Sequence, residues 1–67
     1  MSKKLINKLD FEMRVQNENA RRCEHRGDDA GYTQCLAAHA AASRARSALI
    51  SKMIEDGEDV SDIELLG

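Results

Sequence analysis

The segment HRGDD, His25 to Asp29, decides how this chain folds. Gly27 is a natural stop for a helix, and Arg26 places a cation in that helix's last turn. Asp28 and Asp29 then supply an N-cap and an acid beside the positive start of a second helix. One helix that ends and another that begins within two residues fold back antiparallel, so the segment reads as the turn of a helical hairpin.

Moving from the turn toward the N-terminus, Ile6, Leu9, Met13, Gln16, Ala20 and Cys23 recur at three- and four-residue steps. The spacing predicts a helix over about 3–26 with one buried stripe. Asp10–Arg14 and Glu18–Arg22 stand four apart in the favourable order, each contributing a few tenths of a kcal/mol. In the other direction Cys35, Ala38, Ala42, Ala45, Leu49 and Met53 predict a helix over about 30–56, closed at Gly57. Folded together, the stripes set Cys23 near Cys35, Ala20 near Ala38, Met13 near Ala45, Leu9 near Leu49 and Ile6 near Met53. Small side chains near the turn allow close approach, and large ones fill the open end.

Residues 1–57 therefore read as an all-α hairpin and 58–67 as an acidic tail. The tail sequence EDVSDIELLG has Ser61 three residues before Glu64, as in a capping box. Val60, Ile63 and Leu66 have helical spacing. A short helix covering the bundle end is expected there; the other reading is an acidic, apolar docking peptide.

Composition bounds what such a chain does. A 67-residue chain makes one domain and buries roughly 60% of its unfolded surface, which is marginal alone. Phe11 and Tyr32 are its only aromatics, proline is absent, and a third of the residues are charged. Net charge is -2, so the whole molecule is no polycation. The distribution is uneven: +3 over residues 1–27, +1 over 28–54, and six acids with no base over 55–67. The basic N-terminus lacks the apolar run of a signal peptide or membrane span. A cytoplasmic chain with reduced Cys23 and Cys35 is expected, away from any membrane.

A hairpin has one buried face, and Leu5, Leu36, Ile50 and Ile54 widen its apolar stripe. The economical solution is a homodimer forming a four-helix bundle; a monomer closed by its own tail is the rival. Candidate dimer residues are Leu36, His39, Arg46, Ile50 and Ile54. His39 and Arg46, seven apart on one helix edge, would set the orientation of docking. A Glu12–Arg46 pair between the helices is the alternative use of that arginine.

Two sulfurs and two imidazoles, Cys23, His25, Cys35 and His39, raise the question of zinc. Cys23 and His25 are two apart and point in different directions on a helix, and small core cysteines beside alanines need no metal. Packing is the expected role of the thiols, with an interhelical disulfide as an alternative, and no metal or cofactor is expected. A thiolate nucleophile needs an electropositive pocket and an oxyanion site, which a small hairpin does not provide. The chain does not read as an enzyme.

The most informative surface is the face of the first helix opposite its stripe, where Phe11 and Val15 lie among Lys4, Asn7, Lys8 and Arg22. An aromatic between cations fits a protein partner, or RNA whose bases stack while the cations hold phosphates.

In these residues the chain resembles the Rop family of plasmid copy-number repressors, which are helical hairpins with an acidic turn. That resemblance implies a paired-RNA grip on the first helix, with Lys3 or Lys4, Asn7, Phe11 and Arg22 matched to it. Val15 departs, since the family has an amide there. In size, hairpin build and general character the chain is also similar to the small all-helical accessory proteins of the lambdoid phage early region. That likeness implies a non-enzymatic protein that alters host growth or the balance of lysis and lysogeny. The expectation is a phage or mobile-element regulator that binds a host protein, with Rop-like RNA binding as the alternative.

Overall fold

The computed structural model describes residues 2–63. Helix α1 runs Ser2–Arg26 and α2 runs Asp29–Glu55, and the two pack side by side as an antiparallel hairpin. The body measures 46 × 20 × 15 Å. Its long dimension is close to the ~40 Å that a helix of this length spans.

The turn follows from its residues. Gly27 has φ +71, and its N–H donates to the Glu24 carbonyl at 3.1 Å while the Asp28 N–H donates to Cys23 at 2.8 Å. These two bonds satisfy carbonyls that the end of α1 leaves open. Asp28 then caps α2, its Oδ1 accepting the Gly31 N–H at 2.9 Å. Gly57 repeats the closure at the far end, with φ +78 and bonds from Gly57 to Ile54 and from Glu58 to Met53.

The core is thin. Ile6, Met13, Ala20 and Cys23 bury one line of α1, with Leu9 and Gln16 half-buried beside them. On α2 the buried residues are Ala42, Arg46, Ile50 and Met53. Ile6, Ile50 and Met53 close the open end. The register of the two helices is the expected one, but α2 is rotated about its axis. Arg46 and Ile50 face α1, while Leu49 is half-buried and Ala45 exposed. Burying an isoleucine contributes about 1.5–3 kcal/mol, far more than an alanine offers, and Asp10 gives the arginine a partner inside. Arg46 and Ile50 are therefore used within the hairpin. Leu36 and Ile54 stay exposed.

Beyond Gly57 the described residues do not form the expected helix. Asp59 Oδ1 accepts the Ser61 N–H at 2.9 Å, and the Ile63 N–H donates to Val60 at 3.0 Å. A side chain that takes a backbone N–H two residues on competes with helix formation, and here it makes a turn. Val60 and Ile63 nonetheless pack on the Ile6, Ile50 and Met53 cluster. Lys3 Nζ holds Asp62 Oδ2 at 2.9 Å. The tail thus covers the bundle end as an irregular strap. Glu64 and Leu66 lie outside the described residues.

Candidate interaction surfaces

A hairpin has two broad faces and two edges, and each carries different chemistry. Along α1 the row Asn7, Asp10, Arg14 and Asn17 borders the buried line on one side. With Met13, His39 and Arg46 it lines an open groove of about 420 Å³. Its deepest polar contact is Arg46 Nε to Asp10 Oδ1 at 2.6 Å, with only 5% of the arginine side chain exposed. The expected Glu12–Arg46 pair does not form; Glu12 instead accepts the Gln16 amide at 2.9 Å. Asp10 lies on the groove side of α1, next to the buried line, and Glu12 on the other. The tail strap crosses this same polar face, since Lys3, Asn7, Asp10, Arg46, Asp62 and Ile63 share a second hollow.

The opposite broad face is apolar. Leu5, Leu9, Ala45 and Leu49 line a groove of about 450 Å³, with Lys8 and Glu12 at its rim. The rotation of α2 opens it, because Ala45 and Leu49 are turned out of the core.

On the outer edge of α1, Phe11 is 61% exposed and lines a shallow hollow with Arg14, Val15 and Glu18. Lys4, Lys8 and Arg22 are exposed and fall on that edge by helical spacing. Asn7, one turn before Phe11, borders both that edge and the polar groove, as Lys8 borders both the edge and the apolar groove. Of the candidate dimer residues, His39 lines the polar groove and Leu36 and Ile54 remain on the surface.

Near the turn the two thiols meet. Cys35 shares a hydrogen bond with Cys23, and both cysteines are free thiols. Partial burial, then the neighbouring Cys23 sulfur, push the Cys35 thiol above its ordinary 9.0. Arg26 Nη2 donates to Cys23 Sγ at 3.4 Å. The two histidines do not join them: His25 is exposed and His39 lies in the polar groove. Among the described residues no three His, Cys, Asp or Glu side chains are grouped to hold a metal ion. No described helix is long and apolar enough to cross a membrane.

No family model, curated protein or solved structure matches this chain. The two grooves escaped the sequence reading. The polar row 7, 10, 14, 17 was visible as a helical period, but its meaning depended on which way α2 turned. The apolar groove depended on that rotation entirely.

Proposed function

We propose that the protein is a small non-enzymatic regulator of the kind phages and mobile elements carry. It works in the cytoplasm as a homodimer and binds a host protein through the outer edge of α1. The observation that carries this reading is Phe11, 61% exposed beside Val15 on an edge that the hairpin does not use. Large aromatics in shallow hollows ringed by charge are the usual anchors of protein interfaces. Glu18 in the same hollow favours a protein over a polyphosphate. A photo-crosslinking phenylalanine analogue at position 11, in producing cells, tests it. A discrete heavier product that disappears with Val15→Glu is expected. A reagent that captures nothing, or a product indifferent to Val15→Glu, would rule this edge out.

A second reading, RNA binding, draws on the polar groove, where Arg14 and His39 lie with the amides of Asn7 and Asn17 while Asp10 is held by Arg46. Phosphate contacts release counterions, so such binding must weaken steeply with salt. Affinity for RNA hairpins that did not change between low and physiological salt would exclude it.

A further inference from the structure

We infer that the apolar groove of Leu5, Leu9, Ala45 and Leu49 is the face on which two copies of this chain pair. This names the face of the dimer proposed above and rests on that dimeric reading. Three observations point to a second copy. First, the internal core is too thin for a 67-residue chain. Among the described residues three of the seven buried apolar ones are Ala or Cys, and Met53 alone is fully buried. Chains of this size need a staple or a partner, and both cysteines here are free.

Second, the groove is self-complementary. Lys8 and Glu12 stand one turn apart on its rim. A twofold axis passing between these positions sets Lys8 of each copy against Glu12 of the other. A second copy of this chain thus matches the groove in both apolar surface and charge.

Third, the size and position fit. A stable dimer takes roughly 800 Å² from each copy. One broad face of a body 46 × 20 Å offers about that area. The tail does not compete, because its described part crosses the opposite, polar face through Asp62 and Ile63. Pairing here leaves the polar grooves and the Phe11 edges of both copies outward. It also differs from the dimer expected from sequence, which used Leu36, His39, Arg46, Ile50 and Ile54.

Sedimentation equilibrium on the full chain tests the inference, with Lys8→Glu, Glu12→Lys and an equimolar mixture of the two variants. Both positions are exposed, so neither substitution threatens the fold, and circular dichroism checks that. Each variant alone replaces two attractions with two repulsions and should weaken pairing roughly tenfold. The mixture should recover it. In the mixed dimer one copy carries acids at both positions and the other carries bases at both, so each cross-contact is again an attraction. Single variants that weaken pairing without recovery in the mixture would overturn the twofold arrangement. Wild-type protein that dimerises, with both variants unaffected, would overturn this face and leave the dimer standing. Wild-type protein that stays monomeric at its highest soluble concentration would overturn face and dimer together.

Discussion

Arg46 has 4% of its surface exposed, so its guanidinium must find hydrogen bonds within the protein, and its Nε finds Asp10 at 2.6 Å. A buried ion pair adds little over apolar packing, but removing one partner leaves the other charge poorly compensated. The two single substitutions should therefore differ. Asp10→Ala should lower stability by about 1–3 kcal/mol, toward the low end because 38% of the Asp10 side chain is exposed to water. Arg46→Met keeps the length and removes the charge, and should cost less. Urea melts of both variants check this; a larger loss for Arg46→Met would show that the guanidinium stabilises the hairpin in its own right. Cys35 gives a second prediction at this scale. Its thiol is raised above 9.0 by partial burial and by Cys23, so little thiolate exists at neutral pH. Alkylation of Cys35 should be slow at pH 7 and rise with a midpoint above 9.0, measured as rate against pH in a Cys23→Ser background and in the parent. The Cys23→Ser midpoint should lie closer to 9.0, since one of the causes is gone.

The start of α2 depends on a glycine that is not at a turn position. A Cβ on Gly31 would clash with the Asp28 carboxylate and come within 2.9 Å of Cys23 Sγ. Gly→Ala inside a helix ordinarily stabilises by about 0.5–1 kcal/mol. Here the sign should invert. Gly31→Ala displaces the capping carboxylate and pushes on a buried sulfur, and should cost about 1 kcal/mol, the usual worth of an N-cap. Asp28→Ala made together with Gly31→Ala should cost less than the two single losses summed, because the clashing carboxylate is gone while the Cys23 sulfur still meets the new Cβ; thermal melts of the three variants decide it. The elements themselves were legible in the sequence because their ends are set locally. Gly27 and Gly57 close helices by backbone geometry, and Asp28 caps by its own side chain. The rotation of α2 was not legible. Alanines on nearly every side of Ala37–Ala48 give that helix almost no preferred apolar face, so the choice fell to Ile50 and to the Asp10–Arg46 bond across the hairpin. A period count along one helix does not contain that information. The covering of the bundle end by Val60 and Ile63 was legible from their spacing, whereas the Asp59 turn before Ser61 was not.

At the scale of the whole molecule, the candidate surfaces followed the same division. The Phe11 edge lies opposite the α1 stripe and was legible from α1 alone, whereas the two grooves exist only between helices. The tail strap joins these scales, because it closes the one end of the hairpin where large side chains meet. Val60 and Ile63 are half-buried there, so Ile63→Ala should cost about 1 kcal/mol, roughly half the value of a fully buried isoleucine. The Lys3–Asp62 contact ties the strap to α1 and the Asp59–Ser61 bond shapes the turn inside it, while Val60 and Ile63 hold it by packing. Asp59 lies below its ordinary 3.8 because the Ser61 backbone N–H donates to it. Its contribution is therefore present above 3.8 and lost as pH falls through the lower folded value. Lys3 lies above its ordinary 10.5, chiefly through its hydrogen bond to Asp62. Its contribution is present below 10.5 and lost as pH rises through the higher folded value. The methyl resonances of Val60 and Ile63 should thus hold constant positions across the whole interval and shift only at its two ends, where each contact is lost while the packing remains. Lys3→Ala should abolish the alkaline transition and leave the acid one. A shift of these resonances near neutral pH, or an alkaline transition that survives Lys3→Ala, would mean that they report something other than these two contacts.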